Sequence, residues 1–100
     1  MAVHKVASVA EIPLGEGKIV TVGTRQIALY NVEGQFYALD NTCPHRGGPL
    51  GDGLLNGAVV TCPWHGWQFD CSTGKSTVNP TVKVACYPAR VENDAVYLEL

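Results

Sequence analysis

The chain has no stretch approaching the roughly 18 consecutive apolar residues that a membrane-spanning helix needs. It also has no run of basic residues. Its seven Lys and Arg are scattered from Lys5 to Arg90, and the formal net charge is -2. Nucleic-acid binding normally rests on a concentrated basic patch, so that class of function is set aside. The first residues carry His4, Lys5 and Glu11 and hold no uninterrupted apolar core, which makes a poor secretory signal. The expected compartment is therefore the cytoplasm, where the four cysteines are expected as thiols or metal ligands rather than disulfides. Histidine is scarce: His4, His45 and His65 are all there are. A dinucleotide fingerprint is missing too, because Gly15-Glu16-Gly17 lacks the third glycine and the following helix. There is no internal repeat, low-complexity tract or linker, so residues 1–100 are expected to form one domain. A domain of this length buries roughly two-thirds of the surface its unfolded chain would expose.

Short runs rich in Val, Ile, Tyr, Phe and Thr, punctuated by Gly, Pro, Asn and Asp, predict strands at 18–22, 26–31, 35–40, 58–61, 68–70, 82–85 and 91–100. Gly23-Thr24, Glu33-Gly34 and Asn93-Asp94 read as tight turns between neighbours. A helical turn is expected around 8–11. In the last run Val96, Leu98 and Leu100 would share one face. The fold class read from this is all-β and mostly antiparallel.

Residues 41–80 break the rhythm. They hold seven glycines and four prolines, yet also Leu50, Leu54, Leu55, Val59, Val60, Trp64, Trp67 and Phe69. So much apolar surface does not suit a solvated linker. A compact, loop-rich subdomain shaped by Gly and Pro fits better, and such loops need something to hold them in one conformation. Two motifs stand within the segment, Cys43-Pro44-His45 and Cys62-Pro63-Trp64-His65, with sixteen residues between His45 and Cys62. Each offers one thiolate and one imidazole, and each is followed by glycine.

The pattern Cys-x-His, sixteen residues, Cys-x-x-His resembles the Rieske iron-sulfur family. The text CPHRGGPL at 43–50 and CPWHGWQFDCSTG at 62–74 resembles its ferredoxin and oxygenase-domain branch. The resemblance is dense over 41–74 and carries several implications. The fold would be a Rieske-like antiparallel β-sandwich with a smaller loop-rich cluster-binding subdomain at about 41–80. One Rieske-type 2Fe-2S cluster would be held by Cys43 and Cys62 on one iron and by His45 and His65 on the other. Two neutral imidazoles in place of two thiolates remove negative charge from one iron and raise the reduction potential. Amides near Arg46, Gly47, Trp64 and Gly66 would point toward the cluster, and Asn79-Pro80 would form a third covering loop. The competing reading of the four residues is a Cys2His2 zinc site, but Cys-x-His fits the usual zinc spacings poorly. Cys71 and Cys86 read as bystanders, with Cys86 in phase with Val82 and Val84 and so expected as a small buried side chain. His4 reads as an ordinary exposed side chain, and Arg46 as either a docking contact or a solvated charge. Trp64 and Trp67 read as electron-path or docking residues, as cover for the cluster that packs the subdomain, or as both.

Ring-hydroxylating oxygenases add a mononuclear iron held by two histidines and a carboxylate. Once His45 and His65 are used only His4 remains, so no such site can be built here. The resemblance then implies no enzyme but a soluble electron carrier, passing single electrons from an NAD(P)H-dependent flavin reductase, a ferredoxin reductase, to a terminal oxygenase. A shuttle that must dissociate quickly is expected to be a monomer. The alternative is a small Rieske subunit of an assimilatory nitrite reductase.

High-potential Rieske proteins carry an extra cysteine in each loop and donate hydroxyls to the cluster from a serine and a tyrosine. Here Gly48 and Trp64 stand at the two cysteine positions, and Trp67 and Phe69 at those of the donors. Each missing donor leaves the reduced cluster's added negative charge less stabilised. The midpoint potential is therefore expected near the low end of the Rieske range, roughly -150 mV, and Phe69→Tyr is expected to raise it. A redox titration above zero, or an unmoved midpoint in the variant, would contradict this reading.

Overall fold

The structure is a computed structural model that describes residues 3–42, 48–64, 66–77 and 81–100. The first strands are β1 (Val3–Ser8), β2 (Gly17–Val22), β3 (Arg25–Val32) and β4 (Gln35–Asp40). Next come three short ones, β5 (Leu54–Asn56), β6 (Val59–Thr61) and β7 (Gln68–Asp70). The chain closes with β8 (Cys86–Tyr87), β9 (Ala89–Glu92) and β10 (Ala95–Glu99). They form three antiparallel sheets, ordered β1-β10-β9, β2-β3-β4-β8 and β5-β6-β7. No α-helix occurs among the described residues, and short 3-10 turns at Val9–Glu11 and Leu50–Asp52 are the only helical pieces there.

The four-stranded sheet lies between the other two because both of its faces are apolar. Successive side chains of a strand point to opposite faces, so β3 serves two cores at once. Ile27 and Leu29 join Phe36, Ala38, Val96 and Leu98 on the side of the β1-β10-β9 sheet. Ala28 and Tyr30 join Leu39, Leu50, Val60, Phe69 and Cys71 on the side of the β5-β6-β7 sheet. All four of these β3 side chains are fully or almost fully buried. Burial of a large apolar side chain is worth about 1.5–3 kcal/mol, so β3 is the axis on which both layers depend.

The hairpin turns fall where the sequence places them. Glu33 and Gly34 have φ of 54° and 93°, and Asn93 and Asp94 have 50° and 62°. Two successive positive φ values match the right-handed twist of flanking strands. The expected turn near 8–11 is present, with the Ser8 amide donating to Glu11 Oε2 at 2.6 Å and Lys18 Nζ donating to Glu11 Oε1 at 2.9 Å. Val96 and Leu98 share a fully buried face.

Three expectations change. Strands β1 and β5 were not anticipated: β1 is an edge strand carrying His4 and Lys5, and its partner β10 lies at the far end of the chain. The run at 91–100 divides at the expected Asn93-Asp94 turn into the β9–β10 hairpin, and β9 begins earlier than expected, at Ala89. Residues 82–85 are not a strand. They make two hydrogen bonds with the neighbouring segment, from Ser76 N to Val82 O and from Val84 N to Gly74 O, around a single Lys75–Lys83 bridge. That partner then turns away at Gly74, whose φ is +78°.

This breaks the period-two phase and corrects the reading of Cys86. Ala85 and Cys86 are both exposed, and the thiol of Cys86 sits 3.9 Å from the Ser72 carbonyl. Of these two cysteines the buried one is Cys71, just past β7, where burial pushes its thiol up to about 12, with Asp70 and Cys86 adding to the shift. Partial cover raises Cys86 as well. Thiolate is the reactive form. Brief alkylation of the native protein at about pH 8 should therefore label Cys86 and spare Cys71. Peptide mapping that found Cys71 modified first would show that this core opens.

Candidate Rieske centre

Two connections between strands carry the candidate ligands, and their described residues meet where Gly48 lies against Cys62 and Trp64. The first leaves the central sheet after Asp40, and its neck is closed by hydrogen bonds before and after residues 43–48. The Asn41 amide donates to Gln26 O (3.1 Å), the Leu50 amide to Asn41 O (2.8 Å) and the Gly51 amide to Asn41 Oδ1 (2.7 Å). Thr42 and Pro49 face each other in an antiparallel bridge. The fully buried Tyr30 of β3 donates its hydroxyl to the Leu50 carbonyl at 2.5 Å. Burial pushes that phenol far above its ordinary pKa, helped by the Cys71 and Cys62 thiols and by Asp52, so Tyr30 is a neutral donor.

The second loop is the connection between β6 and β7. The Cys62 amide donates to Trp67 O at 2.7 Å and the Gly66 amide to Cys62 O at 3.1 Å. Gly66 has φ of +74° with open space where a Cβ would sit, so glycine is needed there for its backbone and not for room. The expectation that the Gly66 amide points toward a metal group changes accordingly: it is engaged by the Cys62 carbonyl inside the loop.

Of the four candidate ligands, Cys43, His45 and His65 lie outside the described residues, as do Arg46, Gly47, Asn79 and Pro80. Cys62 is described. It is a free thiol, 3% exposed, set at the end of β6 within the second core. A Cβ built on Gly48 would stand 2.8 Å from Cys62 Sγ and 3.0 Å from Trp64 Cγ. The first loop thus lays bare backbone against the sulfur of the second, and the surroundings of Cys62 fit a sulfur that ligates a metal group. The two positions where high-potential Rieske proteins are expected to carry cysteines are therefore neighbours in space. Trp67 is half-buried and stacks on Phe69 with ring centroids 6.5 Å apart at 28°, whereas Trp64 is 57% exposed. Sequence reasoning missed Tyr30 and Asn41. The available signal was a tyrosine inside an apolar run, since a buried Tyr hydroxyl usually finds a partner.

Residues 2–88 match the family model described as Rieske [2Fe-2S] domain. The chain belongs to the Rieske [2Fe-2S] family. This Rieske chain is 41% identical over 95 residues to the ferredoxin component of the naphthalene 1,2-dioxygenase/salicylate 5-hydroxylase systems of Ralstonia sp, covering 94% of this chain and 91% of that protein. Among solved structures it is similar to the Sphingomonas yanoikuyae B1 ferredoxin, with a TM-score of 0.89, 31% identity and 99% of both chains covered. It is similar also to a chain in the complex of reduced oxygenase and oxidized ferredoxin in carbazole 1,9a-dioxygenase, with a TM-score of 0.87, 34% identity and coverage of 96% and 91%. The cofactor of this Rieske domain is accordingly one 2Fe-2S cluster, and the zinc reading falls away.

Gly48→Ala tests the contact between the loops. The added methyl must displace either the exposed indole of Trp64 or the sulfur of Cys62, and overpacking of this kind costs about 1–3 kcal/mol. The variant should lose most of its iron and acid-labile sulfide while keeping a β-type circular dichroism spectrum. Full cluster content would mean that the loops do not meet as described.

Proposed function

We propose that Cys43 and Cys62 hold one iron of the cluster and His45 and His65 the other. The chain would then carry single electrons from an NAD(P)H-dependent flavin reductase to a terminal oxygenase. The observation that carries this reading is end-to-end similarity to dioxygenase-system ferredoxins around a buried, free Cys62. When bound, the cluster supplies one-electron redox chemistry. The chain's own residues do the rest. Cys62 offers a desolvated sulfur, Gly48 brings backbone next to it, and Phe69 with Trp67 walls the inner side with apolar surface. The chain itself catalyses no substrate reaction and is the electron-transfer component of a larger system.

The finer reading has residues 1–100 as one domain with a cluster-binding unit at about 41–80, acting as a monomer in the cytoplasm. In the described residues no helix is long and apolar enough to cross a membrane. Trp64, exposed between Cys62 and the position of His65, gives a docking protein an aromatic anchor of the kind that dominates interface energetics. The nitrite reductase alternative gains no support, because the relatives matched along the chain's length are dioxygenase-system ferredoxins.

Reconstituted protein should be reduced by a flavin-containing ferredoxin reductase with NADH or NADPH. It should then be reoxidised by the oxidised form of a terminal ring-hydroxylating oxygenase, with continuous turnover only when substrate and oxygen are present. Serine at Cys43 or Cys62, or alanine at His45 or His65, should abolish the rhombic EPR signal of the reduced state. Retention of that signal in any of the four variants would remove that residue from the ligand set.

A further inference from the structure

We propose that Tyr30 is a positioning residue for the cluster, holding the neck of the first loop so that Gly48 stays against the Cys62 sulfur. The inference rests on the ligand assignment above and adds to it a residue outside the 41–80 segment. Tyr30 belongs to β3, the best-buried strand of the fold, and its ring cannot shift toward β2. A Cβ on Gly17 would stand 2.5 Å from its Cδ1 and 2.7 Å from its Cε1, so the ring already fills the space a side chain there would take. From this fixed place the hydroxyl reaches across the seam to the Leu50 carbonyl.

Leu50 is held at both ends. Its carbonyl accepts from Tyr30 and from the Gly53 amide at 2.9 Å, and its own amide donates to Asn41 O. The Gly53 bond lies within the Leu50–Asp52 turn and its cap and moves with it. The Tyr30 and Asn41 bonds instead tie the turn to the central sheet, since Asn41 is itself anchored on Gln26 O and grips the Gly51 amide. Two residues before Leu50 is Gly48, and the Thr42–Pro49 bridge between them leaves little slack. Gly51 lies so close to Ile19 that a Cβ there would collide with it, which fixes the turn against β2. The position of Gly48 beside Cys62 is therefore set from the central sheet, and the Tyr30 hydroxyl is the tie that comes from β3.

Backbone amides close to cluster sulfurs raise reduction potential by stabilising the added charge, and outer partners that orient them matter nearly as much as the ligands. Tyr30→Phe removes the tie and keeps the ring. It should still assemble a full complement of iron and sulfide, yet show a lower midpoint, altered g values in the reduced state, and several-fold faster iron loss to a chelator. Asn41→Ser, which releases the same neck without touching Tyr30, should move the midpoint in the same direction. Leu98→Val, in the opposite core, lowers stability without reaching the neck and should leave midpoint and g values unchanged. A Tyr30→Phe protein with native midpoint, spectrum and iron retention would overturn the proposal while leaving the ligands in place. So would one that changes only as Leu98→Val does at equal stability. Loss of the ligand assignment would show separately, as cluster surviving in the ligand variants.

Discussion

Strand β3 has no solvent-facing side over Ile27, Ala28, Leu29 and Tyr30, and this double burial is the constraint on which the molecule turns. A strand covered on one face can tolerate polar residues on the other. A strand covered on both must be apolar throughout, and any polar atom it carries must be satisfied inside. Tyr30 meets this demand by spending its hydroxyl on Leu50. The same bond that makes Tyr30 tolerable in the core ties the cluster-side layer to the basal sheets. Stability and the geometry of the redox site are in this way served by one side chain.

Glycine does different work at different points of the site. Gly66 is there for a left-handed backbone, and space around it is free. Gly48, Gly17 and Gly51 are there because another atom already occupies the place of a Cβ: Cys62 Sγ, the Tyr30 ring and the Ile19 side chain. The second group lets two layers approach until backbone touches sulfur or ring. Parts of a glycine-rich segment that reads as flexible in the sequence are thereby tightly enclosed, as Gly48, Leu50, Gly51 and Cys62 are all buried.

How much of this was legible depends on the range of the interactions. The ligand motifs are local, four residues or fewer each, and their chemistry could be read directly. The tight turns were legible for the same reason, because φ above zero at Gly34 or Asn93 is a property of two residues. Strand β1 was not, because its partner is supplied by the other end of the chain. The strand expected at 82–85 failed because the segment it bridges at Lys75 bends away at Gly74, a fact that no periodicity in 82–85 contains. Cys86 went with it, exposed where alternation had placed it inside. Tyr30 and Asn41 act across sequence separations of 20 and 10 residues, and nothing in their immediate neighbours marks them.

The distribution of aromatic side chains separates what faces the protein from what faces its partners. Phe69 is fully buried and Trp67 lies over it, so both belong to the interior wall of the site. Trp64, three residues before Trp67 in the same loop, is turned outward at the rim. An indole left exposed beside a candidate ligand is unfavourable for an isolated protein, since its apolar area stays in water. It gains that area back only in a complex, and Trp is among the residues that contribute most when an interface desolvates them. Gly48, whose backbone lies against the Trp64 ring, carries no side chain, so among the described residues the indole is the apolar surface this rim offers a partner. Such a contact can form and part quickly if it is small, which is what a carrier of single electrons requires.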